Sequence, residues 1–225
     1  GQTLAIIGAT GSGKTTLAGL IPRFYDATQG TVLVDGVDVR DYTFDALYDR
    51  LGYVTQKAVL FSGTVQDNIF FGQSEAADTD ETLQQALQLS QAAEFVDRYP
   101  EKAAHPIAQL GRNVSGGQKQ RLSIARALAR RPEILIFDDS FSALDYKTDA
   151  TLREGLAKQL PGTTKIIVAQ RISTIRHADQ ILVLDRGAIA GLGTHDALMA
   201  SCPVYREIAM SQLSEEELKK GGASK

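Results

Sequence analysis

The 225-residue chain has no tryptophan, one cysteine, two methionines and three histidines. A lone cysteine, Cys202, excludes an internal disulfide and a cysteine-built metal cluster. Beside Pro203 it reads as a small structural residue rather than a reactive thiol. No apolar run approaches the roughly 18 residues needed to cross a bilayer. Nor is there a repeat at a period of about 20–50 residues. An excess of basic charge is missing as well: 24 Lys and Arg stand against 27 Asp and Glu, a formal net charge of −3. Nucleic-acid binding draws on clustered basic surface, so no nucleic-acid partner is expected. The chain opens on Gly1 rather than Met, inside a strand-like segment, and reads as a domain cut from a longer polypeptide.

What is present is an alternation of short apolar runs and helical stretches. That pattern predicts an α/β fold, a mainly parallel sheet flanked by helices. Strands are expected at Leu4–Ile7, Thr31–Val34, Gly52–Val54, Ile134–Asp138, Lys165–Ala169 and Ile181–Leu184, with a short one near Ala188–Ala190. The clear helices are Lys14–Leu20, Thr79–Leu89, Ser115–Ala129 and Lys147–Leu160. From Asp67 to Leu110 the chain is helical, rich in Gln and Ala and without a buried-strand signal. The expected layout is one domain over 1–225, with a core at 1–66 and 130–210 and a helical subdomain at 67–129. Residues 211–225 are charged, end in Gly-Gly-Ala-Ser-Lys and are expected to fray.

Gly8-Ala9-Thr10-Gly11-Ser12-Gly13-Lys14-Thr15, continued by Thr16, satisfies the phosphate-loop pattern G-x-x-x-x-G-K-S/T in full. It sits after an expected strand and before an expected helix, the context that the chemistry requires. Glycines 8, 11 and 13 let the backbone turn tightly, so that successive N–H groups face phosphate oxygens. The following helix adds the positive end of its dipole. Lys14 brings a point charge for the β- and γ-phosphates, and the Thr15 hydroxyl a ligand for Mg²⁺. The apolar run Ile134-Leu-Ile-Phe-Asp138 ends in a carboxylate suited to the same metal shell. A second anion site is expected where a long helix opens on Ser115, Gly116, Gly117 and Gln118. Two phosphate-binding helix starts in one chain imply two copies set head to tail. Each nucleotide would lie between one chain's loop and the other's Ser-Gly-Gly.

These residues resemble the nucleotide-binding domain of ABC-type exporters, over nearly the whole chain from Gly1 to Met210. The family's signature Leu-Ser-Gly-Gly-Gln is matched by Val114-Ser-Gly-Gly-Gln118, Val replacing Leu. Ser142-Ala-Leu-Asp145 is similar to the D-loop that crosses the dimer interface. Gln56 is similar to the Q-loop glutamine, which touches Mg²⁺ or the attacking water and senses the transmembrane partner. The segment from Val54 to Ile69 resembles the exporter branch in particular. The resemblance implies a P-loop NTPase of the ABC ATPase fold that binds ATP and Mg²⁺. The implied partners are a homologous ATPase domain and a transmembrane permease fused upstream of Gly1. A soluble domain at the cytoplasmic face of the cell membrane is implied.

Two positions depart from the family pattern. Asp139 stands where the family usually has the Glu that acts as general base. Losing one methylene draws the carboxylate back by roughly a bond length, when a base must lie about 2.6–3.2 Å from its proton's donor. Gln170 stands in place of the switch histidine; it can donate a hydrogen bond but cannot carry charge. A softer change is Gln109, where exporters often carry Glu. With Gly8–Thr15 intact, the expectation is a cradle that holds ATP and hydrolyses it slowly or hardly at all. That combination resembles the degenerate half of a heterodimeric bacterial multidrug-type exporter, whose intact signature completes the partner's site. The family's adenine-stacking aromatic would lie upstream of Gly1, so weakened nucleotide affinity is expected. Two other readings stay open: a soluble ABC ATPase acting on DNA or the ribosome, and a regulatory module that binds ATP without hydrolysis.

Overall fold

The structure, a computed structural model, describes residues 1–72 and 79–212. In chain order the elements are β1 (Thr3–Gly8), α1 (Lys14–Leu20), β2 (Leu33–Val34), β3 (Val37–Asp38), α2 (Phe44–Tyr48), β4 (Leu51–Val54), β5 (Gly63–Thr64) and α3 (Val65–Ile69). There follow α4 (Asp80–Leu89), α5 (Ala93–Val96), β6 (Pro106–Ile107), α6 (Gly116–Ala129), β7 (Ile134–Asp138) and α7 (Tyr146–Gln159). The described chain ends with β8 (Thr164–Val168), α8 (Ile172–Ile175), β9 (Gln180–Asp185), β10 (Ala188–Gly193), α9 (His195–Ser201) and α10 (Pro203–Gln212).

Six strands form the central sheet in the order β10-β9-β1-β8-β7-β4. The five from β9 to β4 are parallel, and β10 pairs antiparallel on β9 with a bulge between Ile189 and Gly191. Strand side chains alternate between faces. Ala5, Ile7, Leu135, Phe137, Ile167, Ile181 and Val183 therefore turn to one side, where α6, α7 and α10 supply Leu122, Ile124, Leu152, Leu156, Tyr205 and Ala209. Ile6, Ile136, Ile166, Val168, Leu182 and Leu184 turn to the other, against Ala18 of α1. Both faces are covered, which is why these strands read as unbroken apolar runs. Leu122, Ile124 and Leu152 are each 0% exposed, and truncating one to Ala would cost about 2–5 kcal/mol.

The main strands and the four long helices fall within a residue or two of expectation. Two readings need correction. Thr31–Val34 is no core strand: only Leu33 and Val34 are extended, in a two-residue hairpin with β3 that packs with Val39, Leu47 and Leu51. The stretch 67–110 is not purely helical, because β6 pairs with β5. Of the expected tail, residues 211 and 212 close α10, and 213–225 lie outside the described residues. Cys202 is buried, its Sγ 3.7 Å from the Ala190 carbonyl, as its structural reading required.

Candidate active site

β1, β8, β7 and β4 are consecutive neighbours and parallel, so their C-terminal ends line one edge of the sheet. Ligands of open parallel sheets bind outside such ends. From this edge emerge loop 8–16 after β1, Gln170 after β8, Asp138 and Asp139 at the end of β7, and Gln56 after β4. Residues spread over 160 positions of sequence meet because four strands point the same way.

In the loop, Gly11 (φ +80°) and Gly13 (φ +98°) occupy the left-handed region that glycine tolerates. Gly8 serves a different purpose from the one expected. A Cβ there would lie 2.1 Å from the Leu184 carbonyl, so glycine lets β1 approach β9 rather than turning the chain. Lys14 is half-buried and folds back, its Nζ donating to the Gly8 and Ala9 carbonyls at 2.8 Å each. Among the described residues its third N–H donor has no partner. Burial lowers the Lys14 pKa, opposed by the nearby charges of Asp139 and Asp138. Ser12 is 3% exposed and its Oγ has no partner among the described residues. A glycine turn, a desolvated ammonium and an orphaned hydroxyl fit a phosphate, which would satisfy all three. Ala9, Thr10 and Thr16 are exposed along the same loop.

Asp138 is 5% exposed. The Thr15 hydroxyl donates to its Oδ1 at 2.8 Å, and the Tyr53 hydroxyl donates to its Oδ2 at 3.1 Å. Tyr53 packs edge-on against Phe24, with ring centroids 5.0 Å apart. Burial, then the Asp138 charge, pushes the Tyr53 pKa up, so the phenol stays a donor. The sequence reading missed Tyr53; the signal was a polar-tipped residue between buried positions on a core strand. Thr15 and Asp138 are hard oxygen donors suited to Mg²⁺, which is usually held by one or two protein groups plus phosphates and water. Among the described residues no cluster of three or more His, Cys, Asp or Glu offers an all-protein cage.

Asp139 is 7% exposed and takes a left-handed backbone, φ 48°, which Asp tolerates better than most residues. Its amide donates to the Val168 carbonyl at 2.9 Å, tying it to β8. Its Oδ2 accepts from Gln170 Nε2 at 2.5 Å and from Gln56 Nε2 at 2.9 Å. Burial raises the carboxyl pKa; the Gln170 and Gln56 amides pull it down, Asp138 pushes it up and Lys14 lowers it, with burial prevailing. The two residues that depart from the family pattern are thus bonded to each other, with Gln56 as a third member. No sequence spacing reveals that contact.

The second helix start lies on the same edge. Gln120 of α6 donates through Nε2 to the Thr55 carbonyl at 3.2 Å, so α6 begins at the C-terminal end of β4. Ser115, five residues earlier, is about 7 Å away along the helix axis. Three strand spacings, about 14 Å, separate β4 from β1 laterally. The loop follows the third strand of the six-stranded order, and α6 packs beside the last, β4. Ser115 and Gln118 form a reciprocal cap: Gln118 N donates to Ser115 Oγ at 3.2 Å, and Ser115 N to Gln118 Oε1 at 2.8 Å. That use of Gln118 was not expected, although the spacing S-x-x-Q is a capping box. Ser115 and Gly116 are exposed, and a Cβ at Gly116 would meet nothing within 4 Å. Asp145 caps α7, accepting from Thr148 N at 3.0 Å and Thr148 Oγ1 at 2.6 Å, bonds that lower its pKa. Gln109 is exposed in a single tight turn.

Known proteins resemble this chain over nearly its whole length. An uncharacterised ABC transporter ATP-binding protein of Mycobacterium tuberculosis is 49% identical over 213 residues, 94% of this chain and 36% of the relative. An ATP-dependent lipid A-core flippase of Albidiferax ferrireducens is 42% identical over 212 residues, again 94% of this chain and 36% of the relative. The structure of a bacterial Atm1-family ABC exporter with ATP bound matches at TM-score 0.90 and 38% identity, covering 96% of this chain and 38% of that one. The chain spans little more than a third of the length of these proteins. Among its described residues no helix is long and apolar enough to cross a membrane. The family described as "ABC transporter" matches residues 1–142, from β1 through the carboxylates that close β7. The chain belongs to the ABC transporter family.

Proposed function

We propose that this chain is the ATP-binding motor domain of a transmembrane exporter and that it closes head to tail on a second, non-identical ATPase chain. Gly8–Thr16 cradle the triphosphate, with Lys14 at the β- and γ-phosphates. Thr15 and Asp138 hold Mg²⁺, with Gln56 completing its shell. When bound, such an ion would supply charge neutralisation for the phosphates. Ser115, Gly116, Gly117 and Gln118 close over the partner's γ-phosphate, helped by Asp145 across the interface.

The chain's own site hydrolyses ATP slowly or not at all. The observation that carries this is the state of Asp139. Its Oδ2 has both lone pairs engaged by Gln56 and Gln170, leaving only Oδ1 to accept a proton from water. Neither glutamine can bring the positive charge that an imidazolium would offer a γ-phosphate. Turnover falls mainly to the partner's site, and this chain supplies binding energy for closure. The likeness to proteins described as transporters and a flippase favours a membrane permease over DNA or the ribosome as the driven element. Such a permease would lie upstream in the same polypeptide and place this domain at the cytoplasmic face of the membrane.

Asp139→Glu combined with Gln170→His, in the partnered protein, is expected to raise hydrolysis about ten-fold or more, as general-base catalysis typically contributes at least that. Single-turnover measurement with radiolabelled ATP reads it. No gain over the parent overturns the slow-site reading.

A further inference from the structure

We propose that Gln212, on the last turn of α10, is a positioning residue that fixes the segment Gln170–Ile172 and so aims the Gln170 side chain; this rests on the reading of Gln170 given above. The Gln212 amide bridges the two peptide groups that flank Arg171. Its Oε1 accepts from Ile172 N at 2.9 Å, and its Nε2 donates to the Gln170 carbonyl at 2.7 Å. One contact demands an acceptor and the other a donor, so chemistry settles which way the amide faces. Ile172 opens α8, where no side chain of its own segment caps the helix. Gln212 supplies that missing acceptor from forty residues away.

Ile172 is itself 0% exposed in the main core and the Gln170 side chain is held by Asp139, but among the described residues no other side chain bonds the peptide groups on either side of Arg171. Behind the segment lies a cavity of about 740 Å³ whose walls include Arg171, Ser173, Thr174 and Gln212 itself. Its remaining side-chain ties are long: Arg171 to the Ser142 carbonyl at 3.4 Å and Thr174 Oγ1 to Asp149 Oδ2 at 3.3 Å. α10, by contrast, is firmly seated. Tyr205 and Ala209 are each 0% exposed, the Tyr205 hydroxyl meets His195 Nδ1 at 2.8 Å, and the helix packs on α8, β1 and β9. A continuous chain of contacts thus runs from a rigid helix through Gln212 to the Gln170 main chain, then through the Gln170 side chain to Asp139.

Gln212→Met, close in length but unable to make either bond, tests this in the intact protein bound to its partner ATPase chain. Amide exchange at Ile172 is expected to speed up about ten-fold, with the rest of α8 and α10 unchanged, as loss of a single capping bond implies. The lifetime of the ATP-closed dimer is expected to shorten about five-fold, roughly one hydrogen bond. ADP affinity, which involves no γ-phosphate, should stay within about two-fold of the parent. Combined with Gln170→Ala, Gln212→Met should add nothing, because both act on one unit. Gln212→Glu keeps the acceptor and sets a carboxylate against the Gln170 carbonyl, so Ile172 should stay protected while the lifetime still shortens. If Gln170→Ala shortens the closed state but Gln212→Met does not, or their effects add, the inference fails and the site reading stands. If Gln170→Ala has no effect, the site reading fails and this inference with it.

Discussion

The Lys14 loop and the Ser115 helix start are both glycine-rich turns into a helix, yet their polar groups face opposite ways. Around Lys14 they turn inward: the ammonium lies on its own loop carbonyls, Thr15 on Asp138, Gln56 and Gln170 on Asp139. At Ser115 the cap is closed within four residues, and Gly116 presents an open face to solvent. An inward-turned cluster is one that a ligand must rearrange, and an outward-turned one can be buried by a second molecule without moving. The difference is the one that the proposed pocket for nucleotide and the proposed lid over a partner's nucleotide require.

Lys14→Ala should break the comparison most severely. A charged hydrogen bond contributes about 1.5–3 kcal/mol, so nucleotide affinity should fall about 10- to 150-fold. Because the Lys14 ammonium also holds the Gly8 and Ala9 carbonyls, the melting temperature of the ligand-free protein should fall by about 2–4 °C, the loss of roughly one hydrogen bond. Calorimetric titration of ATP and thermal melts of parent and variant check the two. Unaltered uptake would remove the basis for reading the loop as a phosphate site.

How much of this was legible beforehand depends on how local the cause is. β1, β7, β8 and β9 are buried on both faces, so apolar runs announce them. Gly8–Thr15 is legible because a phosphate loop is nearly all backbone conformation, encoded within eight residues. The hairpin at Leu33–Val34 was misread because β-branched residues there cover a small cluster of their own instead of the central sheet. Short helices such as α3 and α8 carry one turn of pattern, too little for a period to emerge; α3 is marked only by its Thr64–Asp67 cap. The contacts of Asp139 with Gln56 and Gln170, of Tyr53 with Asp138 and of Gln212 with Gln170 were out of reach. Each joins residues 31–85 positions apart, the first three set side by side by strand order and the last by the packing of α10.

Two substitutions at Ser115 separate its two uses. Ser115→Ala removes the cap, at about 1 kcal/mol, and should lower the melting temperature by about 2–4 °C for a chain of this size. It should also slow the partner's hydrolysis about ten-fold while leaving this chain's own nucleotide affinity alone. Ser115→Asp keeps a good helix cap, so stability should return to near the parent value. The partner's hydrolysis should then fall further still, because a carboxylate would face a triphosphate. If Asp restores turnover along with stability, Ser115 caps a helix and nothing more.

The smallest effect is expected at Tyr53, and it tests how the inward-turned corner is built. Asp138 presents one oxygen to Thr15 and has the other occupied by the Tyr53 hydroxyl at 3.1 Å, a long bond whose loss should cost about 0.5–1 kcal/mol. Tyr53→Phe keeps the ring on Phe24 and removes only that donor. With one oxygen released, the carboxylate can rotate away from Thr15, so the metal shell is less preorganised. The Mg²⁺ concentration that half-saturates nucleotide binding should rise about two- to five-fold, while ATP affinity without metal stays the same. Titrating Mn²⁺ by electron paramagnetic resonance in the presence of ATP reads the shift directly. An equal loss with and without metal would mean that Tyr53 shapes the loop as a whole, and that Asp138 holds its orientation through Thr15 alone.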